Sequence, residues 1–218
     1  NDIRVTLNGK CLTKFVMDPA TPADLRFIDM AVGTLEMNTL IMEGRPGVNG
    51  GAFARSLQVD NCQFYGNHNS DGGGALSSYN SGASTLPIDI TVKRSTFTGN
   101  STYYDGGALR VDSNYFLATA TGPSSSSVTV EDCIFEDNTR LASGGIQYGG
   151  AVSIQTSHYA TIRDSLFTNH ESQTAGARFS GATPLLGVEW PLVGGRVFDG
   201  HQALQFGGAI PIPRCRHP

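Results

Sequence analysis

Apolar and polar residues alternate in short bursts along this chain. Leu57 and Val59, Ile90 and Val92, and Val128 and Val130 are each separated by one polar residue, the period of a strand with one buried face. A second inward pair follows each burst: Cys62 with Phe64, Ser95 with Phe97, Cys133 with Phe135, Ser165 with Phe167. After a polar turn comes a third, as in Leu109 with Val111, Val152 with Ile154, and Ile210 with Ile212. Three short strands that turn their apolar sides to one interior close into a prism, and its coils stack at roughly 4.8 Å. The predicted fold class is all-β, a single-stranded parallel solenoid with three short strands per coil.

The repeat unit is clearest in Val92–Val111, VKRSTFTGNSTYYDGGALRV. Its marks recur as Phe64 with Asn67, Phe97 with Asn100, and Phe135 with Asn138, then more weakly as Phe167 with His170 and Phe198 with His201. Successive Phe residues are 33, 38, 32 and 31 positions apart, too short for a domain and right for one coil. The ten residues form two predicted ladders, a Phe stack inside and a polar column at one corner. There a side-chain amide satisfies both the turn and the next coil. Gly-Gly-Ala marks another corner, where Gly supplies positive φ or close approach and Ala fits a crowded interior.

Residues 1–48 hold strand-like runs but no clean copy of the repeat, and are read as irregular first coils or a cap; residues 49–218 form one continuous body. Only Pro22 to Met30 has a faint helical look. One position per coil carries alternating charge, Asp60, Lys93, Glu131 and Arg163. Stacked in register these form an outward column of opposite neighbours.

Composition narrows the function classes. With 27 Gly, 16% charged residues and a net charge of −4, the chain has no nucleic-acid footprint and no basic membrane patch. No apolar run approaches a membrane span. A start at Asn1 without Met suggests a processed protein or a piece of a longer one.

The pairs FYGN with GGAL, FTGN with GGAL and FEDN with GGAV resemble the FxxN and GGA[ILV] repeats of the polymorphic outer-membrane proteins, the chlamydial autotransporter adhesins, over residues 49–212. The resemblance implies a right-handed parallel β-helix, extracellular or on a cell surface, acting in adhesion or as a structural scaffold. The fourth copy reads AGAR, the last two have His for Asn, and Arg196 takes the Cys or Ser slot.

Chemistry is sparse. β-helices also carry pectin-lyase-like enzymes, so Asp71 with Asp105 and Asp132 with Asp164 are weighed as carboxylate pairs. Recurring Asp at turn positions is better explained by turn chemistry, so the expectation is no catalytic site and no enzyme. His170 and His201 on adjacent coils raise a metal pair, but ladder substitution accounts for both, and no cofactor is expected. Cys62 and Cys133, two coils apart, are predicted free and buried. Cys11 and Cys215 belong to opposite ends and pair, if at all, with another molecule or with sequence beyond that given. Asn100-Ser101-Thr102 is a sequon whose Asn points inward and is expected to stay unmodified.

The longest insertions, Ser77 to Pro87 and Asp112 to Ser127, leave from one side. Tyr79, Tyr115 and Phe116 on them are candidate binding residues, and Ser124, Ser125, Ser126 and Ser127 are candidate O-glycosylation sites. The expected partners are other copies or neighbouring surface proteins docked end to end, glycans, or a host or cell-surface partner.

Overall fold

A computed structural model describes residues 3–18, 20, 26–45, 51–79, 88–112, 127–141, 149–155, 159–172, 177–180, 189–194, 197–199 and 202–203. Beyond residue 170 it describes the strands through their backbone pairing alone.

The described chain is a parallel β-helix. Its first face stacks residues 4–8, 34–38 and 56–60 with Asp89–Lys93, Ser127–Glu131, Tyr159–Arg163 and Glu189–Gly194. The second stacks residues 13–16 and 41–43 with Gln63–Tyr65, Thr96–Thr98, Ile134–Glu136, Leu166–Thr168 and Val197–Asp199. The third runs from residues 28–30 through Leu76–Tyr79, Leu109–Asp112 and Val152–Gln155 to Ala177–Ser180. A narrow fourth ladder, not anticipated from the sequence, joins His68–Asn69, Ser101–Thr102, Thr139–Arg140, Glu171–Ser172 and Gln202–Ala203. Two-residue strands are too brief for an alternation pattern to betray them.

Ile28–Glu43 is long enough to contribute to all three main faces of one coil. It pairs with Arg4–Val16 on one side and with Ala52–Asp60 and Gln63–Tyr65 on the other, so pairing runs through the boundary drawn at residue 48. The faint helical look of residues 22–30 does not survive at Ile28–Met30. Ile28 stacks on Ala52, which stacks on Leu76 and then Leu109, and this ladder overrides local propensity.

The interior is a set of continuous rows. Leu35, Leu57, Ile90 and Val128 form one, and Met37, Val59, Val92, Val130 and Ile162 the next; all are buried. Phe64, Phe97, Phe135 and Phe167 stack with ring centroids 4.8, 4.7 and 4.7 Å apart and planes within 8°. Phe198 follows Phe167 in register. Each fully buried ring contributes roughly 1.5 to 3 kcal/mol over leaving it exposed.

The corners explain the motifs. Gly73, Gly106 and Gly149 lie at φ 64°, 71° and 73°, where only glycine is at ease. The second glycine is there for closeness: a methyl on Gly74 would overlap the Gly107 carbonyl oxygen, and one on Gly107 that of Gly150. Ala75, Ala108 and Ala151 then turn fully inward. At the corner between the first and second faces, Asn61, Arg94, Asp132 and Asp164 take the left-handed conformation, with φ from 46° to 52°. The recurrence of Asp there is therefore turn chemistry.

Candidate functional site

The polar corner column is built from backbone upward. Asn67, Asn100 and Asn138 each follow a left-handed residue, Gly66, Gly99 and Asp137, which swings the side chain inward. Asn100 Nδ2 donates to the Phe64 carbonyl at 3.1 Å and to Asn138 Oδ1 at 2.9 Å. Asn67 makes the equivalent bonds to Met42 and to Asn100. His170 continues the column, fully buried. An Asn100 whose amide is enclosed and bonded this way has no free nitrogen for a glycan. His201 lies outside the described residues.

A second inward column alternates sulfur and oxygen. Ser95 Oγ donates to the Lys93 carbonyl and accepts the Cys62 N–H at 3.1 Å; Ser165 does the same for Cys133. Cys62 and Cys133 are free and buried, and Cys11 is free and exposed. Burial raises the Cys62 thiol and pushes that of Cys133 up to about 12, so neither supplies a thiolate near neutral pH. Cys215 lies outside the described residues.

The outward side of the first face holds a groove of about 830 Å3. Its floor has three rows, Thr34 with Ser56 and Asp89, Glu36 with Gln58 and Thr91, and Asn38 with Asp60 and Lys93, and Arg4, Arg55 and Val59 complete the lining. The charges are largely paired within the protein. Arg4 meets Glu36 at 3.2 Å, Arg94 meets Asp60 at 2.5 Å, and Lys93 meets Glu131 at 3.1 Å. Arg163 closes on Glu131 from the following coil, and these two cations hold the Glu131 carboxyl below the usual carboxylate range. Ser127 Oγ donates to Asp89 at 2.9 Å, and Asn38 Nδ2 to Asn8 Oδ1 at 2.8 Å. Between these closed pairs lie Gln58 and Thr91, half-buried, whose side-chain polar atoms engage no protein partner among the described residues.

The groove reaches a strand end that bounds the first insertion, at Asp89. Tyr79 and Asp112 stand in register at the end of the third face, and Asp89 and Ser127 in register at the start of the first. The strand ends on either side of the two insertions are therefore aligned on neighbouring coils. The insertions are shorter than the sequence suggested: Ser77 to Tyr79 and Asp112 are strand residues, and Ser127 is a strand residue with a committed hydroxyl. Tyr115, Phe116, Ser124, Ser125 and Ser126 lie outside the described residues, and Tyr79 is placed by its backbone.

The four candidate carboxylates fall at two separate corners. Asp71 is bound by Arg26 at 2.9 Å, its amide closes on Asn69 Oδ1, and its carbonyl accepts from Arg110. The Asp105 carbonyl accepts the Gly73 N–H. Asp132 and Asp164 occupy the left-handed turn column. No cluster of metal-ligating side chains occurs among the described residues.

Sequence reasoning missed Gln58 and Thr91, whose signal was their outward place in the alternation. It also missed His68 and Tyr103. His68 is buried, Nδ1 lies 3.0 Å from Ser101 Oγ, and the Tyr103 ring stands edge-on at 5.0 Å. Burial lowers the His68 pKa. Tyr103 and Tyr104 are exposed aromatics of a short turn.

Compared with known proteins, the chain matches one family model, described as a right handed beta helix region, over residues 34–185. No curated protein and no solved structure matches it. The polymorphic outer-membrane repeat is not among what matched.

Proposed function

The chain belongs to the right-handed β-helix family, and from that premise we propose that it is a non-catalytic extracellular scaffold, an adhesin or a subunit of a surface filament or matrix, that holds a glycan or a surface partner along its first face. The observation that carries this reading is the pair Gln58 and Thr91, free polar groups stacked in register at the centre of a groove whose ion pairs are already closed. A ligand bound there gains hydrogen bonds without separating a salt bridge, which suits a neutral polyhydroxylated chain. General acid and base chemistry asks instead for two carboxyls in contrasting environments facing one bond. The candidate aspartates serve two different turns.

The insertions support the same side. Variable segments of a solenoid commonly build its binding face, and the strand residues that follow the two insertions here, Asp89 and Ser127, stand in register, Asp89 lining the groove. Coil edges present strand groups that another coil can pair with, which supports end-to-end contact with other copies or neighbouring surface proteins.

The test is binding of the whole chain to a panel of neutral and acidic polysaccharides, with Gln58→Ala and Thr91→Ala. A neutral glycan should bind, and the double variant should weaken it roughly tenfold, the loss of one or two hydrogen bonds, at unchanged melting temperature. Polysaccharide cleavage by the wild type that Asp132→Asn or Asp164→Asn abolishes would move the assignment to a pectin-lyase-like enzyme.

A further inference from the structure

The corner column changes chemistry at one junction. The backbone N–H of Asn67 donates to Asn100 Oδ1 and that of Asn100 to Asn138 Oδ1, both at 3.0 Å. The N–H of Asn138 donates instead to Nδ1 of His170, at 3.2 Å. His170 is fully buried, with its ring edge-on to Phe167 and the centroids 6.1 Å apart. An amide oxygen accepts across the working pH range. An imidazole nitrogen accepts only while it carries no proton, and the imidazolium has an N–H at both nitrogens.

We propose that the Asn138–His170 contact is an acid-sensitive joint. While His170 is neutral, the ladder runs through it and the coil starting at residue 159 is clamped onto the one before. Protonation sets the Nδ1–H against the Asn138 N–H and places a charge at a site closed to water. The ladder then parts at this contact, the bonds among Asn67, Asn100 and Asn138 stay closed, and the strands beyond residue 170 loosen as a group.

The charged and titratable groups around the joint come from three coils. On the preceding coil Glu136 and Asp137 are exposed, and Arg140 is a buried cation two residues past Asn138. Glu171 follows His170 on the same coil, in register with Thr139. Asp199, in register with Thr168, belongs to the next.

The sole tryptophan of the sequence, Trp190, lies on Glu189–Gly194, beyond the joint, and reports on it. Its fluorescence is followed from pH 8 to about 4.5, the range that covers histidine titration, in the full chain, in His170→Asn and in His201→Asn. The wild type should show a reversible transition. His170→Asn, which restores an amide acceptor, should abolish it or shift its midpoint down by about one pH unit or more, and His201→Asn should titrate like the wild type. A wild type without the transition, a His170→Asn variant that keeps it unchanged, or a His201→Asn variant that loses it overturns the proposal. Should His170→Asn fail to fold at pH 8, the wild type decides by nuclear magnetic resonance. The loss of the Nδ1 acceptor at His170 and the shift of the Asn138 amide should then share one midpoint with the Trp190 change, and separate midpoints overturn the joint.

Discussion

Asn100 and Asn138 are joined twice across adjacent coils: the Asn100 backbone N–H and its Nδ2 both donate to the same oxygen, Asn138 Oδ1, at 3.0 and 2.9 Å. With the third bond, from Asn100 Nδ2 to the Phe64 carbonyl, a fully buried corner is satisfied with one side chain per coil.

Replacing Asn100 with Ala removes two donors and the acceptor that serves Asn67, leaving the Asn67 N–H and amide facing a void. Losing buried partners costs about 1 to 3 kcal/mol for each group left unmet, so destabilisation of about 3 kcal/mol or more is expected in a denaturant titration. Asn100→Asp should cost at least as much, because its carboxylate faces Asn138 Oδ1 and the Phe64 carbonyl, both acceptors. A variant as stable as the wild type would show that the ladder is ornamental.

Gly107→Ala adds a methyl that overlaps the Gly150 carbonyl oxygen of the neighbouring coil. The backbone cannot yield without opening the stack, so the cost should exceed the roughly 1 to 3 kcal/mol typical of overpacking. Gly99→Ala is the control. Open space surrounds that position, and its φ of 63° makes the penalty purely conformational, about 1 to 2 kcal/mol. Thermal unfolding of both should place Gly107→Ala clearly below Gly99→Ala; the reverse order would sink the close-approach argument.

Glu131 sits between Lys93 and Arg163 of the coils on either side, and these cations depress its pKa from the ordinary 4.5. A carboxyl whose folded pKa is depressed adds stability that is fully present above its unfolded pKa and is lost as pH falls through the folded value. The wild type should therefore lose melting temperature more steeply than Glu131→Gln as pH drops below 4.5. At neutral pH, added salt should narrow the gap between the two, since exposed pairs are screened. Parallel pH profiles would mean that the column contributes nothing.

The sequence by itself determined the coil. Apolar residues at period two, Phe at intervals near 33 and Gly-Gly-Ala at one corner leave few architectures open, because in a solenoid each coil meets only its neighbours and must repeat their shape. The in-register column of Asp60, Lys93, Glu131 and Arg163 was legible for the same reason, although Asp60 takes Arg94 rather than Lys93 as its partner. What only the tertiary structure decided lies where no period speaks. Ile28–Met30 became strand because Ala52 was there to pair with it, the two-residue fourth ladder had no pattern to show, and the side chains of Gln58 and Thr91 stand open because neighbouring charges close on other partners. A repeat fixes which residues share a row; which polar groups in a row remain open depends on distances between coils that no single copy of the repeat contains.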